Sequence, residues 1–136
     1  MIDEKKFKLG LFLLRASVLL VMVMWTLDKF IKPAHTAKVF EKFYLIPGLE
    51  GMTITGIGIA QAVILLMFFF GIAKTLSYGA VLLMHAVSTF TPYAKYLSPY
   101  DGGGLIFFAA WPMLAACIVL FMFRNNDSLL QFGGDD

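Results

Sequence analysis

Four apolar runs constrain this chain more than any other feature of its sequence. They cover residues 9–27, 52–73, 76–91 and 102–123. A helix needs about 20 apolar residues to cross the roughly 30 Å of hydrocarbon in a bilayer, and three of the runs approach or reach that length. The run 52–73 contains no charged residue, and the whole chain is 60% hydrophobic with a mean hydropathy of +0.80. These features predict a small membrane protein.

Continuous apolarity favours helices over strands in these runs. A membrane-spanning sheet must close into a barrel whose strands alternate between apolar and polar residues, and no run alternates in that way. The run 76–91 is short for a span, but the tight turn at residues 71–75 makes it the returning leg of a helical hairpin. We therefore predict an all-α membrane protein in which residues 1–136 form one domain, an antiparallel bundle of four transmembrane helices.

The connection between the first two runs has a helical pattern of its own. Pro33 suits the first turn of a helix, where its missing N–H is not needed. In residues 33–45, apolar and aromatic side chains gather on one side of such a helix and charged side chains on the other. This pattern predicts a short helix that lies in the membrane interface between the first and second spans. The alternative is a polar loop with some packed aromatic residues.

Charge and cysteine content exclude several functions. The eleven bases and nine acids are scattered without a basic stripe, so nucleic acid is not an expected partner. Cys117 is the only cysteine, so the chain has no internal pair for thiol–disulfide exchange. Bases are tied five to five between the two sides of the predicted bundle, but Lys5, Lys6 and Lys8 directly precede the first span. We expect a multi-pass protein of a bacterial-type inner (plasma) membrane with both termini in the cytoplasm.

Arg15 is the one charged residue inside a predicted span. Placing a charged group in hydrocarbon costs free energy, so the presence of Arg15 within a span requires an explanation. In one interpretation its side chain reaches outward to the lipid headgroups. In the other it faces the bundle interior and binds a carboxylate, a phosphate or the carbonyl of a quinone. Because no acid lies inside any span, the second interpretation predicts a ligand or partner from outside the chain.

Polar residues also lie near the middle of the second and third spans. His85 shares a helical face with residues three and four positions later. A neutral imidazole hydrogen-bonded to Gln61 or to a hydroxyl would tie adjacent helices together. Alternatively, His85 exchanges a proton with a quinone headgroup, since imidazole titrates near physiological pH. The candidate cavity for a quinone or another ligand is lined by Arg15, Gln61, His85, Ser88 and Thr89.

No catalytic residue, metal site or covalently bound cofactor is expected. The nucleophiles Ser88, Thr89 and Cys117 have no acid near them in the sequence. His35, the only other histidine, lies in the first connection, so two buried histidines are not available as haem ligands. We do not expect the chain to be an enzyme on its own.

A series of short motifs runs through the chain. In order they are Leu13-Leu14-Arg15, Leu27-Asp28-Lys29-Phe30, Ile46-Pro47-Gly48-Leu49, Thr55-Gly56-Ile57-Gly58-Ile59-Ala60-Gln61, Phe70-Gly71-Ile72-Ala73-Lys74 and Leu83-Met84-His85-Ala86-Val87-Ser88-Thr89. Together they resemble the DoxX-like family of small four-helix integral membrane proteins, over residues 9–123. Two positions depart from the family pattern: Gln61 lies near a position where many members carry Glu, and Trp25 stands where a small residue is common.

The resemblance implies a redox context. Members of the family are associated with thiosulfate oxidation onto quinone, with terminal quinol oxidation, or with complexes of thiol and superoxide defence enzymes. The implied function is that of an accessory or anchoring subunit of a quinone-linked redox or respiratory assembly, with other membrane redox proteins as partners. The alternative is a self-associating bundle, made of several copies, that transports a small solute or assists membrane-protein assembly.

Overall fold

The computed structural model describes residues 3–43, 51–102 and 104–131. These residues are helical and contain no strand, so the all-α prediction is confirmed for them. The elements are α1 (Glu4–Ile31), α2 (Pro33–Phe43), α3 (Gly51–Phe70), α4 (Lys74–Phe90), α5 (Tyr93–Leu97), a 3-10 helix (Gly104–Ala109) and α6 (Ala110–Met122). Residues 44 and 45 of the predicted interfacial segment lie outside the described residues, as does the Ile46-Pro47-Gly48-Leu49 motif.

Within the described residues, three helices are long and apolar enough to cross a membrane. They are Glu4–Ile31, Thr53–Phe70 and Gly104–Met122. Large apolar side chains on the bundle, such as Leu20 and Leu83, are exposed, which is expected where lipid replaces water as the solvent. The predicted run 76–91 corresponds to α4, which has 17 residues and is shorter than these three helices.

Capping explains why α1 begins before its apolar run. The side chain of Asp3 accepts hydrogen bonds from the backbone N–H groups of Lys5 and Lys6, at 3.0 and 3.4 Å. These are two of the N–H groups that a helix leaves without an internal partner at its start. Glu4 in the first turn also suits the positive end of the helix dipole. The helix therefore starts five residues before the apolar run.

Pro33 begins α2, as its sequence position predicted. The helix runs to Phe43, and its side chains Lys38 and Glu41 are exposed while Val39 is partly buried. It contacts both α1 and α3. A helix, rather than a polar loop, therefore occupies the described part of this connection.

A tight turn joins α3 to α4. Gly71 has a φ of +70° and Ala73 a φ of +46°, both in the left-handed region. The Ile72 N–H donates to the carbonyl of Met67 at 2.9 Å, and the Ser77 hydroxyl donates to the carbonyl of Ile72 at 3.0 Å. Because the connection is so short, α3 and α4 are antiparallel neighbours.

The last apolar run is not one continuous α-helix. It begins as the 3-10 helix Gly104–Ala109 and becomes α-helical at Ala110. Pro112 therefore lies in the first turn of α6, where the absence of its N–H removes no hydrogen bond within that helix. The run therefore changes helix type at Ala110.

Four helices surround one core. Both α1 and α4 pack against α3 and α6. The buried core residues come from all four helices and are Leu11, Val18, Leu65, Phe68, Tyr78, Val81, Cys117 and Leu120. After α6 the chain turns back, and residues 123–131, called here the C-terminal segment, contact the end of the bundle where α1 begins and where α3 turns into α4.

Candidate functional site

Arg15 faces the interior of the protein. Its side chain is fully buried, so the interpretation in which it reaches the lipid headgroups is wrong. Its Nη1 atom lies 2.7 Å from Oδ1 of Asp127, and Nη2 donates to the carbonyl of Leu129. The guanidinium also lies over the rings of Phe12 and Phe69, 5.2 and 5.8 Å from their centroids. Arg15 is thus held by the C-terminal segment of its own chain.

Asp127 gathers the other polar groups around itself. It is fully buried, and its Oδ2 atom accepts a hydrogen bond of 2.6 Å from the hydroxyl of Tyr78. Its backbone carbonyl accepts a hydrogen bond of 2.7 Å from the ammonium of Lys74. Gln131 donates through Nε2 to the Tyr78 hydroxyl, 2.5 Å away. Hereafter Arg15, Lys74, Tyr78, Asp127 and Gln131 are called the Asp127 cluster.

The Asp127 cluster corrects one prediction from the sequence. An acid from outside the spans, but from inside the chain, neutralises Arg15, so Arg15 does not require an external partner for its charge. The two residues are 112 positions apart. Asp127 follows the last span, and the sequence offers other acids on the same side of the bundle, such as Asp3 and Glu4, so no spacing rule singled it out. The need of a buried arginine for a carboxylate was the only available signal.

Among the described residues, two polar atoms of the Asp127 cluster find no hydrogen-bond partner. They are Nε of Arg15 and Oε1 of Gln131. Burial of an unpaired polar atom costs free energy, so such atoms are rare in native proteins. One of them is a donor and the other an acceptor. The Asp127 cluster therefore has one hydrogen bond of each kind left to offer a small polar molecule.

His85 lies at a different contact, between α4 and α6. Its Nε2 atom is 2.9 Å from the carbonyl oxygen of Ala110. A carbonyl only accepts, so Nε2 donates. This bond links the two helices where the 3-10 helix becomes α6. The interpretation in which His85 ties helices together is therefore supported, but its partner is Ala110 rather than Gln61.

The other predicted site residues are spread over two helices. Thr89 is buried one turn after His85, and its hydroxyl donates to the His85 carbonyl at 2.8 Å. Ser88 is exposed and donates to the carbonyl of Met84 in its own helix. Gln61 on α3 is partly buried and forms no hydrogen bond with His85. The structure thus brings His85 and Thr89 together, and it places Arg15 in the separate Asp127 cluster.

Tyr96 extends the polar contacts around Thr89. Its hydroxyl donates to the Thr89 carbonyl at 2.6 Å, and its ring packs against Phe108 and Trp111. Partial burial raises the pKa of the Tyr96 hydroxyl above its ordinary value, so this donor keeps its proton at physiological pH. The sequence alone did not indicate this bond.

Neither a metal site nor a known relative identifies the site. Among the described residues, no three His, Cys, Asp or Glu side chains lie close enough together to hold a metal ion. Comparison of the chain with protein-family models, with curated proteins and with solved structures yields no match. The functional argument therefore rests on the residues themselves.

Proposed function

We propose that this chain is a DoxX-like membrane protein with four spans, in which α4 crosses the bilayer as the fourth span and α2 lies in the interface. A span of 17 residues is at the short end of the usual range. The packing of α4 between α3 and α6 supports this arrangement, since its neighbours on both sides are helices long enough to span. In this arrangement both termini lie on one side, which we propose to be the cytoplasmic side of an inner membrane.

In that membrane the chain would serve as an accessory or anchoring subunit of a redox or respiratory assembly that uses quinone. The observation that carries this proposal is the Asp127 cluster. Charged residues inside a membrane protein are expensive and commonly mark function. Here they fix the C-terminal segment against the bundle, which makes the end that carries Arg124 and the exposed Lys5 a defined surface for a partner. The redox context comes from the DoxX-like resemblance.

The quinone part of the proposal assigns proton exchange to His85. The imidazole is buried at the contact between α4 and α6, and its Nε2 proton is held by the Ala110 carbonyl. In this proposal a quinone headgroup approaches from the α4 side, where Gln61, Ser88 and Thr89 supply further polar groups.

Purification from native membranes in mild detergent tests the proposal. Proteins and lipid-soluble molecules that remain bound are identified by mass spectrometry. We expect a redox protein in stoichiometric amount and a retained quinone. Isolation of the chain alone and without quinone would contradict the proposal and would favour the transport or assembly alternative.

A matched pair of variants tests the role of His85. His85→Gln keeps an N–H donor for the Ala110 carbonyl but removes the group that exchanges a proton. We expect it to lower quinone-linked electron transfer in membranes at least about a hundredfold, the lower end of the range for loss of a proton-transfer group. Thr91→Val is the control, because the Thr91 hydroxyl bonds only the Val87 carbonyl of its own helix. Equal rates in the two variants would remove His85 from the proposal.

A further inference from the structure

Lys29, near the far end of α1, is a buried cation that forms no ion pair within the part of the chain that the structure describes. Its side chain is 7% exposed. Among those residues its ammonium donates to the Trp25 carbonyl, and the distance of 3.5 Å is at the outer limit for such a bond. An ammonium has three donors, and burial without acceptors is costly. Lys29 therefore has capacity for a strong acceptor.

The neighbouring carboxylate does not fill that role. Asp28 accepts hydrogen bonds from His35 at 2.8 Å and from the Thr36 hydroxyl at 3.0 Å. Within the described parts of the chain, no carboxylate lies within ion-pair distance of the Lys29 ammonium. The exposed bases Lys32 and Lys38 add further positive charge to this end of the molecule. This positive charge favours an anion as the hydrogen-bond acceptor for the Lys29 ammonium.

An apolar groove between α1 and α3 leads to the same end. It has a volume of about 460 Å³, within the range of ligand-binding cavities. Apart from Thr26, its lining is apolar; the lining residues are Leu19, Val23, Thr26, Leu27, Phe30, Ala62, Leu65, Leu66, Phe69 and Phe70. Near one end the two helices approach closely, because a Cβ atom added to Gly58 would lie 2.9 Å from Cζ of Phe30.

The length of the groove matches one leaflet of a bilayer. From Leu19 to Phe30 the helix rises about 16 Å, at about 1.5 Å per residue. This rise is about half of the roughly 30 Å thickness of a bilayer's hydrocarbon core. Thr26 and Phe30, which line the groove, are one turn before and one residue after Lys29. A hydrocarbon chain in the groove would thus bring its headgroup to the level of the Lys29 ammonium.

We propose that the groove binds one acyl chain of an anionic phospholipid and that its phosphate accepts hydrogen bonds from Lys29. The phosphate supplies the strong acceptor that Lys29 lacks among the described residues, and the acyl chain covers the apolar groove. A transmembrane helix of a partner would fill the groove without satisfying the ammonium. This inference concerns lipid binding and does not rest on the proposed redox function.

Native mass spectrometry of the full chain in detergent tests the proposal. Phosphatidylglycerol or phosphatidylcholine with identical acyl chains is titrated into the delipidated protein. We expect phosphatidylglycerol to bind about fivefold more tightly, the difference that one lysine at an anionic headgroup supplies. Equal affinities for the two lipids would overturn the proposal.

Three variants locate the site. Lys29→Met is expected to abolish the preference for phosphatidylglycerol, whereas Lys38→Met, which removes an exposed base from the same end, is expected to keep it. Ala62→Leu fills the groove and is expected to weaken the binding of both lipids equally. Retention of the preference in Lys29→Met, or its loss in Lys38→Met, would show that the headgroup binds elsewhere. Because no readout uses electron transfer, failure here leaves the redox proposal to its own test.

Discussion

The two ends of the bundle treat a buried cation of α1 in opposite ways. Arg15, in the first half of α1, is fully buried and is met by the carboxylate of Asp127 and the carbonyl of Leu129. Lys29, near the end of α1, is nearly as buried, but among the described residues it has only a long bond to a carbonyl of its own helix. The first site is closed by the C-terminal segment, and the second lies beside an open apolar groove.

The comparison separates a charge used for folding from a charge available for binding. Breaking a buried ion pair leaves an uncompensated charge, whereas removing an unpaired buried charge relieves a cost. Substitutions at the two ends should therefore have effects of opposite sign on the free energy of unfolding.

The largest effect is expected at Asp127. Asp127→Ala leaves Arg15 buried without a carboxylate and should lower the free energy of unfolding by about 3 to 5 kcal/mol. Thermal unfolding in detergent micelles measures this change. Asp101→Ala is the control, because Asp101 is exposed, and it should be nearly silent. Equal stability of the two variants would mean that the C-terminal segment does not hold Arg15.

A smaller loss is expected at Tyr78. Tyr78→Phe removes the hydroxyl that donates to Asp127, and bonds to charged groups contribute about 1.5 to 3 kcal/mol. The same unfolding assay applies, with the exposed Tyr93→Phe as its control. The loss should become smaller when Tyr78→Phe is made in the Asp127→Ala background, where the bond from Gln131 remains. An undiminished loss there would mean that the Tyr78 hydroxyl does not contribute to stability through Asp127.

Lys29 should show the opposite sign. In lipid-free detergent, Lys29→Met removes a buried, poorly satisfied ammonium and should raise the free energy of unfolding by about 1 to 3 kcal/mol. Lys32→Met, at an exposed base, should change it little. Destabilisation by Lys29→Met would show that Lys29, like Arg15, contributes to folding.

The smallest effect concerns the turn that receives the C-terminal segment. Gly71→Ala places a Cβ atom 2.6 Å from Cδ of Gln131 and forces a left-handed φ on alanine, which costs about 1 to 2 kcal/mol. Gly56→Ala is the matched control, because nothing lies within 4 Å of its added Cβ atom. That variant should be neutral or slightly stabilising, as expected for alanine in a helix. If Gly71→Ala left the free energy of unfolding unchanged, the Gln131 side chain would not lie against Gly71.

Much of the helical fold followed from the sequence. Apolar runs placed α1, α3 and α4 to within a few residues, apart from the capped start of α1, and Pro33 marked the first residue of α2. Asp3 is a good capping residue, but the lysines after it were taken only as a charged flank of the span. The 3-10 helix at Gly104–Ala109 has no sequence signal of its own, since apolarity does not distinguish one helix type from another.

The sequence predicted only one side of the polar contacts. Arg15 stood out because a charge within an apolar run is improbable without a partner. Its partner lies 112 residues away in a short segment after the last span, so no local pattern joins the two. Lys29 was counted as an ordinary base at the end of a span, because burial of such a residue depends on how α2 and α3 pack around it. Periodicity specifies helices, but contacts between distant residues arise only in the assembled bundle.

A double-mutant cycle between Arg15 and Asp127 is the most direct test of the account. The free energy of unfolding is measured for Arg15→Met, Asp127→Leu and the double variant in the same detergent. The pairing predicts that the double variant loses at least about 2 kcal/mol less than the sum of the two single losses, since each single change strands a buried charge. Additivity to within about 0.5 kcal/mol would show that the two side chains do not interact and would contradict the account.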